Sequence, residues 1–292
     1  MKKNYLLLCC LIALLGSCIT EKPSTDCLEK VTLQFIYKAD GTRNVVEKYL
    51  NCAMLLVYNE NDQLVFQKSI SSEELTKEHQ FSMYLPIGHY NIVCWGNSNK
   101  YTTFCNVENR KTALVSCPSF VKGESIPTND HLYYTSKSLE VEYKKENQYS
   151  LEFTSAHIDI DVFVRGTESD PYIELDNVMP QYNIHMEEAQ PFTAKYTPDV
   201  YYCGEFKCFR STLAVFRFQE RCPLILRVYI KEKQDPIEIK MSDVLKESED
   251  SRPIATRQEA KVSVFVDYNE NNLSIYTQVS DWDEEFVIPE IE

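Results

Sequence analysis

Three side chains able to ligate a metal fall within His157-Ile158-Asp159-Ile160-Asp161-Val162. In a strand, the period of two places His157, Asp159 and Asp161 on one face, a spacing compatible with coordination. No second cluster stands nearby in sequence to complete a shell, so the expectation is a half-exposed strand whose polar side faces water, with no metal. Cys203-Gly204-Glu205-Phe206-Lys207-Cys208 is a lone C-x4-C, and a zinc site would need a second, closely spaced pair. A local disulfide or buried thiols are expected there instead. The five histidines, His79, His89, His131, His157 and His185, are scattered. The sequence has no Gly-x-Ser-x-Gly elbow, no phosphate-cradling glycine loop and no His-Glu-x-x-His. With 44 acidic residues, a pair of carboxylates says little about glycoside hydrolysis. Acid and base groups do not cluster, so no catalytic residue and no cofactor is assigned.

Tyr133-Tyr134, Tyr201-Tyr202 and Trp95 are of the type that stacks on sugars, but the strand preference of aromatic residues favours packing on a sheet. The last segment, residues 281–292, carries six acids and no base around the apolar trio Phe286, Val287 and Ile288. That trio could close its own sheet. It could also pair with an exposed edge on another subunit, where backbone hydrogen bonds supply affinity and alternating side chains supply register.

The elements that must position these residues are strands. The chain of 292 residues is long enough for two domains, and 43% hydrophobic with 25% charged residues is an ordinary globular composition. The 19 Tyr and 14 Phe favour sheets over helical bundles. A net charge of −14 repels phosphate backbones and excludes nucleic acid as a partner. Residues 31–37 alternate apolar and polar, and short strand candidates follow at the spacing of a sandwich: 53–58, 64–68, 80–85, 90–95, 102–107 and 112–115. After 139–143 and 150–165, further candidates are 182–186, 212–218, 224–231, 236–240, 262–266 and 273–279. Helical pattern is confined to single turns at 71–75 and 242–246. The polar stretch 144–148 marks a domain boundary near residue 148.

At the N-terminus, Lys2 and Lys3 precede an apolar core from residue 5 to 15 that is too short to span a bilayer, the form of a secretory signal peptide. It runs into Leu15-Gly16-Ser17-Cys18, which resembles the bacterial lipobox. That resemblance implies cleavage before Cys18 and lipidation of the cysteine, with each buried methylene contributing about 0.8 kcal/mol to membrane attachment. The following residue is Ile19, not Asp, which points to the outer membrane. Eight cysteines remain beyond Cys18; an even number in an exported chain permits disulfides, and their connectivity cannot be read from spacing.

Taken with the lipobox and the early strand, Leu85-Pro86-Ile87-Gly88-His89-Tyr90-Asn91-Ile92-Val93-Cys94-Trp95-Gly96-Asn97 resembles the FimB-type fimbrial anchor, or fimbrillin-associated, lipoprotein family of Bacteroidales. Residues 153–165 and Val279-Ser280-Asp281-Trp282 add to the resemblance. It implies an all-β chain: signal peptide 1–17, lipidated tether 18–30, and two consecutive transthyretin-like β-sandwich domains, 31–148 and 149–292. It further implies an outer-membrane lipoprotein that anchors a pilus, limits its length and assembles with fimbrillin subunits by strand exchange, without cofactor or catalysis. An accessory or tip subunit of the same pili, or a surface glycan-binding lipoprotein, is the alternative. Physically, Leu-Pro-x-Gly-x-Tyr is expected to form a β-hairpin, ending one strand at Pro86 and turning at Gly88.

Replacing Cys18 by Ala is expected to move the chain from the membrane fraction to the soluble fraction of lysed cells. Membrane retention of Cys18→Ala would refute lipid anchoring at this residue.

Overall fold

Alternation in residues 28–36 becomes a strand with Val31, Leu33 and Phe35 buried and their neighbours more exposed, as a sheet with one covered face requires. The computed structural model describes residues 27–281, apart from 78, 220, 248–252 and 270–271. In chain order the first half gives β1 (Leu28–Ile36), α1 (Val46–Tyr49), β2 (Ala53–Asn59), β3 (Leu64–Ile70), α2 (Ser72–Thr76), β4 (Gln80–Pro86), β5 (Gly88–Gly96), β6 (Thr103–Cys105), β7 (Leu114–Ser116), α3 (Pro118–Val121), β8 (Tyr133–Val141), β9 (Asn147–Glu152) and β10 (Thr154–Ser155). The second half gives β11 (His157–Arg165), β12 (Tyr172–Val178), β13 (Gln181–Asn183), β14 (Ala194–Tyr196), β15 (Tyr201–Cys203), β16 (Cys208–Phe216), β17 (Ile225–Tyr229), β18 (Ile237–Lys240), α4 (Met241–Glu247), β19 (Ala260–Asn269) and β20 (Asn272–Asp281). The helices are short, and α2 owes its single turn to a capping box in which Ser71 and Glu74 satisfy each other's backbone N–H groups.

The chain is all-β and forms two sandwiches. In the first domain the sheet β4-β1-β9 packs on the sheet β10-β8-β5-β2-β3; in the second, β15-β16-β11-β19-β20 packs on β14-β12-β17-β18. Each domain contains one parallel pair, β1 with β9 and β11 with β19, so each opening strand is locked by a strand far along the chain. The core of the first domain includes Leu33, Phe35, Leu55, Val57, Ile92 and Phe153. That of the second includes Ile158, Ile160, Val162, Leu213, Leu226 and Val264.

Three differences from the sequence reading have physical causes. The expected hairpin at Leu85-Pro86-Ile87-Gly88 is instead a sandwich corner, because β4 pairs with β1 and β5 pairs with β2 and β8 in the facing sheet. Pro86 ends the ladder, Gly88 takes a φ of +155°, and the Tyr90 hydroxyl donates to the Pro86 carbonyl at 3.0 Å to brace the corner. The polar stretch near 148 is a turn within the first domain, since β9 and β10 bind β1 and β8; the crossing to second-domain pairing comes at Ala156. The tether is shorter than expected, with β1 beginning at Leu28. Strand β12 also escapes the periodicity because Glu174 and Asp176 interrupt its apolar run. Their charges are met from neighbouring strands: Lys195 Nζ lies 3.0 Å from Glu174, and the Arg227 guanidinium pairs with Asp176.

The two domains share a third apolar core. Leu55 and Val57 of β2 face into the first sandwich, whereas Leu56 and Tyr58 face outward. On β5, Ile92 and Cys94 likewise face in while Val93 and Trp95 face out. That outer face is covered by Val115 of β7 and by Tyr182, Ile184 and Phe216 of the second domain. A small sheet, β13-β7-β6, joins the halves through backbone hydrogen bonds, and Trp95 Nε1 donates to the Ile184 carbonyl at 3.3 Å. Burying large apolar side chains of this kind contributes roughly 1.5–3 kcal/mol each, enough to favour a fixed seam over independently moving domains.

Gly166, immediately after β11, has a φ of +87°, and a Cβ there would stand 1.6 Å from the Tyr268 carbonyl oxygen. Gly166→Ala is therefore expected to destabilise the fold by about 3 kcal/mol or more, read from the urea midpoint. A midpoint unchanged from the native protein would contradict this packing of β11 against β19.

Candidate functional site

Strand β11 is buried along nearly its whole length, which corrects the expectation that its polar side faces water. One face feeds the second-domain core, and the other carries His157, Asp159 and Asp161 into two polar sites. Asp161 is fully buried and lies 2.8 Å from both Arg210 Nη2 and Lys261 Nζ, so its charge is matched by cations on the flanking strands β16 and β19. His157 and Asp159 face the first domain instead. There, His131, just before β8, and Tyr133, its first residue, come in from the first domain.

The rings at this junction are close: His131 to His157 is 4.9 Å and Tyr133 to His157 is 5.3 Å between centroids, both edge-on. His131 Nε2 lies 2.9 Å from Asp159 Oδ1. Glu259, on the approach to β19, accepts from the hydroxyls of Tyr37 and Tyr133, the latter at 3.1 Å. The segment leading to Glu259 is tied down by its neighbours. The Gln258 backbone N–H donates to Asp40 at 3.1 Å in the turn after β1, and Arg217 bridges the segment to β11 by donating to the carbonyls of Ile254 and His157. His131, Tyr133, His157, Asp159 and Glu259, with Lys48 and Asn97, line a cavity of about 170 Å³ at the domain seam.

Burial and charge sort the protonation states. Burial depresses His157 to about 4, so its imidazole is neutral near pH 7. The Asp159 carboxylate holds His131 above the ordinary imidazole range. Burial alone would raise Asp159, but the imidazoles of His131 and His157 and the ammonium of Lys261 outweigh it and leave the carboxyl below its usual value. Glu259 goes the other way. Burial lifts it to about 7, with the repulsion of Asp159 adding to burial and the two tyrosine hydroxyls and His131 opposing it. The tyrosines Tyr37 and Tyr133 are themselves raised, first by burial and then by Glu259. Neither His131 nor Glu259 stands near His157 in sequence, and no spacing rule joins them; only the seam does.

The remaining sequence candidates are placed as follows. Trp95 and Tyr133 are buried, as the packing reading expects, and Tyr134 is partly buried. Tyr201 and Tyr202 are 49% and 59% exposed on β15, contrary to it. Cys203 and Cys208 face each other across β15 and β16, and no disulfide joins the cysteines among the described residues. Burial and the neighbouring Cys203 push the Cys208 thiol up to about 11. Cys18 and the trio Phe286, Val287 and Ile288 lie outside the described residues. The strand leading to that trio is β20, ten residues long and at the edge of its sheet, paired only with β19 among the described residues. From Leu273 to Gln278 none of its residues is buried, and Leu273, Ile275 and Tyr276 are each exposed; Val279 and Ser280 are buried. No helix among the described residues is long and apolar enough to cross a membrane.

A family model described as fimbrillin-A associated anchor proteins Mfa1 and Mfa2 matches residues 23–287. No curated protein matches the sequence. Among solved structures, the fold is similar to the fimbrial anchor protein Mfa2 of Porphyromonas gingivalis, with 12% identity, a TM-score of 0.65, and coverage of 88% of this chain and 98% of that one. It is also similar to a protein of Bacteroides thetaiotaomicron described as a candidate polysaccharide-binding protein, with 11% identity, a TM-score of 0.70 and coverage of 87% and 98%. A candidate adhesin of Bacteroides ovatus gives 12% identity, a TM-score of 0.69 and coverage of 88% and 97%.

Because Glu259 holds its proton more tightly in the folded chain, at about 7 against 4.5, stability falls as pH rises from 4.5 to 7. The groups facing it are Tyr37, Tyr133, Asp159, His131 and Arg217. Glu259→Gln keeps a hydrogen-bond acceptor for the tyrosines and removes the titration, so its unfolding midpoint is expected to change less between pH 5 and pH 8 than that of the native chain. The difference should be on the order of 3 kcal/mol at most. Parallel pH profiles for the two proteins would show that Glu259 is not the group responsible.

Proposed function

Since this chain belongs to the family of fimbrillin-A associated anchor proteins Mfa1 and Mfa2, we propose that it fixes the base of a fimbrillin-type pilus to the outer membrane and limits the pilus length. In this reading residues 1–17 are the signal peptide, Cys18 carries the lipid, and the short tether before β1 joins the lipid to the first domain. Retention then depends on two joints in series. One is acyl chain in bilayer, the other protein on protein.

The observation that carries the second joint is the outer edge of β20, which pairs with no other strand among the described residues. An edge strand whose side chains from Leu273 to Gln278 are unburied on both faces is a liability unless something pairs with it. Residues 282–292 follow it directly and include Phe286, Val287 and Ile288. A pilin strand laid along this edge, or the trio donated into a pilin groove, would form a ladder of backbone hydrogen bonds worth about 1 kcal/mol net each, made and broken together. The shared apolar seam suits the same role, because it passes tension from the second domain to the first without a flexible joint.

A second reading, a surface glycan-binding lipoprotein, is favoured by the exposed pair Tyr201 and Tyr202 on β15. It would place sugar stacking on a short edge strand, on the opposite border of the same sheet from β20. An accessory or tip subunit would use the same β20 edge without the membrane joint.

Deleting residues 286–292 is expected to leave the lipoprotein in the membrane fraction while pili pass from the cell surface into the medium, counted by electron microscopy and by immunoblot of shed pilin. Normal piliation of the deletion strain would sink strand exchange through this segment.

A further inference from the structure

The cluster at the domain seam is arranged for a ligand that the pilus-anchor role does not require. His131, His157 and Asp159 each offer a donor atom, and the three donors lie within 4.8 Å of one another. His157 Nδ1 lies 3.0 Å from the Leu132 carbonyl oxygen. A carbonyl only accepts, so Nδ1 carries the proton and Nε2 keeps the lone pair. This is the arrangement by which a backbone acceptor orients a metal-binding imidazole.

Asp159 is only 5% exposed, and its Oδ1 meets His131 Nε2 at 2.9 Å as an ion pair, with no other donor to that oxygen among the described residues. The nearby hydroxyls do not supply one, because Tyr37 and Tyr133 both donate to Glu259. The cavity of about 170 Å³ that these residues line has room for an ion and several waters, each filling about 30 Å³.

We propose that this cavity binds one zinc-class divalent ion through His131, His157 and Asp159, with water completing the shell. Two imidazoles and a carboxylate suit zinc and its transition-metal neighbours, whereas calcium and magnesium call for oxygen donors. Ligand distances of about 2.1 Å would draw the donors to roughly 3.4 Å apart. His157 and Asp159 are held on β11, so His131 makes the adjustment; its side chain is 55% exposed and sits outside regular structure just before β8. The ion ties the first domain to the opening strand of the second, across the seam that joins them. It acts as a clamp, not as a reaction centre.

The test uses the full chain purified in detergent, stripped with a chelator and then given zinc chloride alone. One zinc per chain by elemental analysis, with a rise in the thermal midpoint, is the expected result. His131→Ala removes the ion-pair partner of the buried Asp159, so its metal-free midpoint should fall below the native one, while its zinc affinity falls at least tenfold and zinc no longer raises its midpoint. Asp159→Asn should lose the zinc-dependent rise as well. Three results would each overturn the proposal: no zinc bound by the native chain, zinc bound equally by His131→Ala and therefore held elsewhere, as on the free thiols, or a midpoint raised by calcium and not by zinc.

Discussion

The structure depends on one constraint: the central strands of the first domain are apolar on both faces. A sandwich sheet can satisfy only its inner face from within its own domain. Leu56, Tyr58, Val93 and Trp95 would stand in water unless a second body covered them. The second domain supplies that cover through Tyr182, Ile184 and Phe216, and β13 adds a backbone pairing with β7. Two sandwiches that could each be described alone are thus one unit.

Inward carboxylates are met in two ways. Asp161 is neutralised within its own sheet by Arg210 and Lys261, and the half-buried Asp176 by Arg227 on the neighbouring strand. At the seam, Asp159 is ion-paired with His131, and Glu259 accepts from two tyrosine hydroxyls. Each of the two carboxylates keeps an Oδ1 without a hydrogen bond, but Asp161 has cations on both sides within its own sheet, whereas Asp159 lines a cavity and has capacity left over. The contrast between Asp161 and Asp159, two residues apart on one strand face, separates a structural pair from a site.

At the edge of the second domain's sheet the open groups are on the backbone. Strand β20 is buried at Val279 and Ser280 and not buried from Leu273 to Gln278, where the Tyr276 ring packs on Phe265, and its outer edge pairs with no other strand among the described residues. A joint made of such a ladder draws its strength from many small bonds loaded together, which matches the mechanical task of a fimbrial anchor family better than a small polar interface would. No enzyme-like convergence of acid and base is needed for that task.

Much of the fold was legible in local pattern. Period-two alternation marked β1, short apolar runs at sandwich spacing marked β2, β4 and β5, and the Ser71 to Glu74 spacing marked α2, because these signals arise from neighbours in the chain. Strand β12 was not legible, since the charges of Glu174 and Asp176 look like a loop until Lys195 and Arg227 arrive from other strands. The corner at Gly88 read as a hairpin because a turn reports its own geometry and not which sheet each flanking strand will join. By itself the sequence determined an all-β chain, a lipobox cysteine and a family resemblance, all properties of residues near one another. Only the tertiary structure decided that His131 and Glu259 meet His157 and Asp159. Long-range strand pairing, through β1 with β9 and β11 with β19, brings together groups whose separation along the chain carries no signal.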